Sequence, residues 1–279
     1  MQELPMNKAS SSRLVDREAA AALIEPLTEL VRRAGAAILA LDRDAMRVAG
    51  KIDGSPVTEA DLAADRIIAD GLARLAPGVE ALSEERAALA QPSCDGSFFL
   101  IDPLDGTKEF VAGRDEFTVN IALVTNGTPQ LGIIGAPALG LIWRGLVGRG
   151  AERLATGSGG RAEPIHTRPF PKAGEPWIAA VSRSHGDPAT QGFVAARPGA
   201  VCKVLGSSVK FARLAEGAVD IYPRLAPTHE WDIAAGCAIV AAAGGKVTAP
   251  DGAELRFGKG TRDFIVPAFI AWGDPSAAR

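Results

Sequence analysis

Six acidic residues of this 279-residue chain sit where elements end and turns begin. Asp102 and Asp105 flank the turn D-P-L-D-G-T, Glu84-Glu85 follow Ser83, Asp232 follows Trp231, and Asp61 stands three residues after Thr58. Each has an ordinary explanation when taken alone. Thr58 and Asp61 fit T-x-x-D, close to a capping box; Asp232 suits a helix N-cap; Glu84-Glu85 suit a solvated pair; D-P and D-G are common turn dipeptides. Asp102 resists this treatment best, because it closes the apolar run Phe98–Ile101 and is followed by a second aspartate. Together the six fit one chemistry. Hard cations such as Mg²⁺ take oxygen ligands. A tight turn can aim Asp102, Asp105, the Leu104 carbonyl and the Thr107 hydroxyl into one small space. The Gly106 and Thr107 backbone N–H groups would then face an anion. Two cations about 4 Å apart stabilise both the attacking and the leaving oxygen of an in-line displacement. They also invert the local field, which would otherwise repel a polyanion.

Other chemistries fit poorly. His166, His185 and His229 show no H-x-x-x-H spacing for zinc, and Ser184-His185 are mere sequence neighbours, which is no sign of a nucleophile–base pair. Neither G-x-x-x-x-G-K-[ST] nor G-x-S-x-G is present.

These residues need elements to position them. Leu27, Leu30, Val31, Ala34, Ile38 and Leu41 form one apolar helical stripe, with Pro26 expected in the first turn. A second helix is expected after Thr58, with Leu62, Ile67, Ile68, Leu72 and Leu75 as its stripe. Phe98–Ile101 predicts a buried strand that stops at Asp102-Pro103. Strands are expected over Phe117–Val124, Leu131–Ala136 and Leu141–Val147, the first two joined by a hairpin turn at Asn126-Gly127. Gly157-Ser158-Gly159-Gly160 marks a boundary or loop tip. Beyond it the pattern alternates: strands at Trp177–Val181, Val201–Leu205, Ala218–Tyr222 and from Val247, helices at Ser208–Glu216 and Asp232–Ala243, the last stopped by Gly244-Gly245. The expectation is therefore a mixed α+β and α/β chain in two intimately packed parts. Residues 1–156 would be helices on an antiparallel sheet carrying most metal ligands; 157–279 would be a smaller α/β part carrying Asp232 and the substrate-selecting residues. Residues 1–12 read as a loose tail.

With 47% hydrophobic and 23% charged residues, the balance is that of an ordinary soluble globular chain. A net charge of −3 gives no basic face for a nucleic acid polymer. Cys94, Cys202 and Cys237 are odd in number and lack C-x-x-C, which fits a reducing cytoplasm rather than a disulfide framework. No signal peptide is expected, and the longest apolar stretch, Ile233–Gly245, is too short for a membrane span of about 20 residues. No amphipathic anchor is evident, and peripheral attachment to the inner membrane stays open, as does the choice between monomer and homodimer.

Asp61, Glu84-Glu85, D-P-L-D-G-T and W-D followed by Gly244-Gly245 match, in order and spacing, the lithium-sensitive phosphatase superfamily. This chain resembles that superfamily from about Ile52 to Gly245. The superfamily includes inositol monophosphatases, fructose bisphosphatases and bisphosphate nucleotidases, and the resemblance implies its layered αβαβα sugar-phosphatase fold. The finer resemblance is to the bacterial 3'(2'),5'-bisphosphate nucleotidases of the CysQ type. It is carried by D-P-L-D-G-T-K-E-F (Asp102–Phe110), E-F-T-V-N-I-A-L (Glu116–Leu123), S-R-S-H (Ser182–His185), G-S-S-V-K-F (Gly206–Phe211) and Y-P-R (Tyr222–Arg224). Inositol monophosphatases usually show T-N-F where this chain has Lys108-Glu109-Phe110.

The resemblance implies two or three Mg²⁺ per site. Glu84, Asp102, the Leu104 carbonyl and Thr107 would surround the first, Asp102, Asp105 and Asp232 the second, and Glu84 would orient water on a third, weaker one. Thr107, polarised by Asp61, would help activate the attacking water, releasing phosphate without a phosphoenzyme. The substrate would lie against these ligands and Gly106. Gly206-Ser207, Lys210 and Arg224 would hold a 5'-phosphate, and His185 would contact the nucleotide; without the resemblance, surface charge and a loop hydrogen bond explain these last residues equally simply. The substrate implied is a small phosphorylated metabolite, adenosine 3',5'-bisphosphate, cleaved to AMP and phosphate. An inositol monophosphatase-like or broad sugar phosphatase is the alternative. An inactive ligand-binding protein on the same fold is a remoter one, since no metal ligand is missing.

Overall fold

The computed structural model describes residues 14–41, 48–50, 56–89, 96–157, 160–197, 199–258 and 264–278. The 1–12 tail, Cys94 and Ser158-Gly159 of the glycine-rich boundary lie outside them.

In chain order the first elements are α1 (Arg17–Leu39), β1 (Val48–Gly50), β2 (Pro56–Thr58), α2 (Glu59–Leu75) and β3 (Glu80–Ser83), then a 3-10 turn over Glu84–Leu89. β4 (Ser97–Asp105), α3 (Thr107–Val111), β5 (Thr118–Thr125), β6 (Thr128–Ala136), β7 (Leu141–Leu146), β8 (Gly150–Ala155) and β9 (Glu163–Ile165) follow. The remainder is β10 (Ile178–Ser182), α4 (Pro188–Ala195), β11 (Val201–Leu205), α5 (Val209–Ala215), β12 (Ile221–Arg224), β13 (Thr228–His229), α6 (Glu230–Ala242), β14 (Lys246–Thr248), β15 (Ile265–Val266) and β16 (Phe269–Trp272), closed by a 3-10 turn over Pro275–Ala277.

Two sheets carry the architecture. The seven strands β3 to β9 lie in sequence order, antiparallel except for the parallel pair β3–β4. The second sheet has the order β11-β10-β12-β16-β14 and is mixed. Helices α1 and α2 cover one face of the large sheet, through a core that includes Leu27, Val31, Ile38, Ile68, Phe99 and Ile121. Helices α5 and α6 fill the space between the sheets, where Phe211, Trp231 and Ile239 meet Phe98, Ile134 and Trp143. Beyond the second sheet, Val194 of α4 packs against Ile221, Ile270 and Trp272. The layers thus read αβαβα, as expected. α6 is apolar on nearly every side, the pattern of a helix buried from both directions.

Several boundaries differ from the sequence reading. Pro26 lies inside α1 rather than in its first turn. The helix starts more than two turns earlier, where Asp16 caps it by accepting from the Ala19 N–H at 2.8 Å. The buried face of α2 is built from Ala60, Ala64, Ile68, Gly71 and Leu72, while Leu62 and Leu75 are exposed. Small residues let α2 lie close against α1, so its face is narrower than an aliphatic stripe suggests. β4 does not stop at Asp102-Pro103 but continues to Asp105. The strand expected over Ala218–Tyr222 is Ile221–Arg224, and α6 begins at Glu230, so Asp232 is its third residue rather than its cap.

Candidate active site

The extension of β4 builds the centre of the site. Asp102 pairs with Asn120 and Asp105 with Thr118, so three steps along β4 face two along β5. This register shift is a β-bulge, which re-aims side chains locally, and it accommodates Pro103, which has no N–H to give a ladder. Gly106 then takes φ +87°; a β-carbon there would sit 3.2 Å from Ser207 Cβ and 3.3 Å from the Glu116 carbonyl. Only glycine meets both demands. The chain turns directly into α3 with Thr107 at its start.

Around this turn a cavity of about 370 Å³ opens where β4, β10, β11 and β12 end and α6 begins. Glu84, Asp102, Leu104, Asp105, Gly106, Thr107, His185, Gly206, Ser207, Lys210, Arg224 and Asp232 all line it. One expected site residue does not reach the cavity wall: Asp61, which stands behind Thr107. Its Oδ2 accepts from the Thr58 N–H at 2.8 Å and the Thr58 hydroxyl at 2.6 Å, completing the capping box. Its Oδ1 lies 3.3 Å from the Thr107 hydroxyl, which is also 3.1 Å from the Leu104 carbonyl.

Glu84, Asp102 and Asp232 each offer a carboxylate oxygen within 4.8 Å of the others. Three hard oxygen donors this close suit a divalent cation, which would relieve their mutual repulsion. Asp232 shows the strain. Burial raises its pKa above the ordinary carboxylate value, and the neighbouring Asp105 charge raises it further, against the hydrogen bond from Thr228. Its Oδ2 accepts from the Thr228 hydroxyl and the His229 N–H. Asp105 is held from the other side, its Oδ2 accepting from the Ser208 N–H at 2.6 Å and from the Ser208 hydroxyl.

The cavity also has basic lining residues: Lys108, His185, Lys210 and Arg224. Loss of hydration in the cavity lowers the His185 pKa, and the charges of Arg224, Lys108 and Lys210 lower it further against that of Asp105. Lys210 is buried; its Nζ donates to the Ser207 carbonyl at 2.5 Å and lies 5.3 Å from the centre of the Tyr222 ring. Burial pushes its pKa down to about 8. Arg224 Nη2 donates to the Pro227 carbonyl at 3.0 Å, while its buried Nε has no hydrogen-bond partner among the described residues.

A model of the inositol monophosphatase family matches residues 19–274. The chain belongs to this family. Among its relatives, the 3'(2'),5'-bisphosphate nucleotidase CysQ of Escherichia coli K12 is 37% identical over 250 residues, which span 88% of this chain and 98% of that protein. The enzyme of the same name from Buchnera aphidicola is 36% identical over 253 residues, 89% of this chain and 93% of that one. The crystal structure of CysQ from Bacteroides thetaiotaomicron superposes with a TM-score of 0.72 at 33% identity, covering 89% of this chain and 96% of that one. Inositol monophosphatase family members depend on metals, and the acidic cluster is suited to hold one.

Sequence reasoning missed several cavity residues. Lys108 is one; its position within D-G-T-K-E-F is the signal that it faces the site. Ser208 belongs to the Gly206-Ser207-Ser208 turn, which the sequence marks as an anion site between a strand and a helix, but the sequence does not show its ties to Asp105, to Asn120 at 2.6 Å and to Thr118 at 3.3 Å. Those partners lie far away in the chain, so no local pattern reveals the link.

Proposed function

We propose that this chain is a Mg²⁺-dependent 3'(2'),5'-bisphosphate nucleotidase that hydrolyses adenosine 3',5'-bisphosphate to AMP and phosphate, a reaction that serves sulfur metabolism. The observation that carries this reading is that one cavity is lined both by the acidic cluster of Glu84, Asp102 and Asp232 and by the basic groups Lys108, His185, Lys210 and Arg224. A substrate with one phosphate to lose and another to be held matches that lining. The unpartnered Arg224 Nε is a buried donor that a second phosphate would satisfy.

Glu84, Asp102, the Leu104 carbonyl and Thr107 would hold one Mg²⁺, and Asp102, Asp105 and Asp232 another, with Glu84 also serving a third, weaker position. When bound, the ions neutralise the phosphoryl oxygens and make water a stronger nucleophile. The chain's own groups do the rest. Asp61 Oδ1 takes the Thr107 hydroxyl proton in a hydrogen bond, so the Thr107 oxygen turns a lone pair toward the attacking water. Gly106 and Thr107 N–H groups face the phosphate oxygens. The water oxygen bonds to phosphorus and gives up one proton, the bond from phosphorus to the ester oxygen breaks, and that oxygen leaves as the sugar hydroxyl, having gained the proton the water releases. Gly206, Ser207, Lys210 and Arg224 hold the 5'-phosphate, and His185 borders the nucleotide. Positioning and charge stabilisation are what phosphoryl transfer chiefly needs.

In this reading residues 1–156 supply the ligands apart from Asp232, and residues 157–279 supply Asp232 and the groups that choose the substrate. The free thiols of Cys202 and Cys237 support a reducing, cytoplasmic setting. The deciding experiment is phosphate release with Mg²⁺ from adenosine 3',5'-bisphosphate and from inositol 1-phosphate at matched concentrations. A strong nucleotide preference is expected. A preference for inositol phosphate would keep the acidic cluster and remove the assignments of Lys210, His185 and Arg224.

A further inference from the structure

Two carboxylates on the large-sheet side reach across to the loops that lead to His185 and Lys210. Glu109, on α3 two residues beyond Thr107, is buried and accepts from the Ser184 hydroxyl and from Arg114 Nη1, each at 2.5 Å. Arg183 Nε stands 3.8 Å from the same carboxylate. Glu116, before β5, accepts from the Gly206 N–H at 2.8 Å and from Arg183 Nη2. Gly206 is pressed against both: a β-carbon there would lie 2.7 Å from the Glu116 carbonyl and 3.0 Å from Glu109 Cγ.

The bridged loops follow β10 and β11, neighbouring parallel strands whose carboxyl ends face the cavity. Ligands characteristically bind outside such strand ends. Ser182–His185 carries His185, and Gly206–Ser208 leads to Lys210. Ser207 adopts φ +41°, a left-handed conformation that a serine holds only when its surroundings enforce it.

We propose that Glu109 is a positioning residue for substrate choice: through Ser184 and Arg183 it latches the 182–185 loop against α3, and with Glu116 it fixes the loops that lead to His185 and Lys210 relative to the Asp102–Thr107 turn. This deepens the nucleotidase reading and rests on it. Glu109 touches no reacting atom. Its position beside the metal-binding turn makes the spacing between cleaved and held phosphates a property of α3.

The test compares Glu109→Gln, Ser184→Ala and Ser184→Thr with the parent, Mg²⁺-loaded and full length. The substrates are adenosine 3',5'-bisphosphate and p-nitrophenyl phosphate, which has no second anionic group. Loss of one charge-assisted hydrogen bond should raise KM for the bisphosphate about tenfold with kcat held within about twofold. Activity on p-nitrophenyl phosphate should stay unchanged, and Ser184→Thr should restore the parent KM. Equal loss on both substrates, or an unchanged KM, would overturn the latch. Hydrogen exchange of the amides at 182–186 and 206–208 gives a readout independent of substrate identity. Exchange there should quicken in Glu109→Gln and Ser184→Ala and nowhere else. Parent-like exchange removes the latch even if the nucleotidase reading stands; faster exchange keeps it even if the parent prefers another phosphate ester.

Discussion

Asp61 and Thr107 are 46 residues apart in sequence, yet the Thr107 hydroxyl faces Asp61 Oδ1 at 3.3 Å while Asp61 Oδ2 is fixed by its own helix cap. The cap therefore orients the carboxylate oxygen to which the proposed mechanism gives the polarising role. Asp61→Asn retains an oxygen for one of these roles and removes the charge. It should lower kcat about 10²- to 10⁴-fold, the range of a lost acid–base contribution, and cost about 1 kcal/mol of stability through the weakened cap. Thr107→Ser should retain activity, and Thr107→Val should lose it. Steady-state kinetics beside thermal melting separates the two effects. A kcat near the parent value in Asp61→Asn would remove the polarising role and leave only the cap.

Asp102 is buried between Glu84 and Asp232 and belongs to both proposed ion positions. Asp102→Asn should nearly abolish turnover yet leave the metal-free protein at least as stable, because one charge leaves a repelling cluster. The parent should gain about 2.7 kcal/mol of stability when Mg²⁺ is present at 100 times its Kd; the variant should gain far less. Chelation should silence the parent reversibly, and lithium should inhibit it by taking a magnesium position. Melting curves with and without Mg²⁺ make the comparison, and wild-type turnover in Asp102→Asn would end the two-ion arrangement.

The turn from Asp102 to Thr107 was legible in the sequence because its chemistry is local: two aspartates, a glycine and a hydroxyl within six residues admit few other purposes. Asp232 was legible from the W-D pair that opens an apolar helix ending at Gly244-Gly245. Pro26 misled because a proline suits a helix start, while the true cap, Asp16, precedes Arg17-Glu18 and a run of four alanines that shows no large apolar stripe. Small residues on the buried face of α2 hid its orientation in the same way. The bridge from Glu109 to Ser184 spans 75 residues and two sheets. No spacing rule reports such a contact, because it depends on how the sheets stack.

Glu84 owes its place to Asp65, one turn beyond Asp61 on α2. Asp65 Oδ1 accepts from the Ser83 hydroxyl at 2.6 Å, and Arg86 Nε lies 3.0 Å from Asp65 Oδ2. One buried carboxylate thus grips the residues on both sides of Glu84-Glu85. Groups that orient a metal ligand typically matter 10- to 100-fold in affinity. Asp65→Ala should raise the Mg²⁺ concentration for half-maximal activity about tenfold while preserving the ratio of rates on bisphosphate and monophosphate substrates. Magnesium titrations on both substrates measure this. An altered substrate ratio with unchanged magnesium demand would contradict the positioning argument.

Lys210 predicts a pH dependence. Burial moves its pKa from 10.5 down to about 8 in the folded protein. The folded state therefore gives up this proton more readily than the unfolded chain. The associated stability is present above the unfolded pKa and declines as pH falls through about 8. Substrate binding runs the other way, because only the protonated amine attracts a 5'-phosphate. For adenosine 3',5'-bisphosphate, kcat/KM should decline as pH rises through about 8, since this ratio reports ionisations of the free enzyme. Lys210→Arg should stay charged across that range and flatten the decline. A substrate without a second phosphate should show no such limb in the parent. Profiles from pH 6.5 to 9.5 on both substrates decide it: identical limbs would place the ionisation at the acidic cluster and leave Lys210 holding only the Ser207 carbonyl.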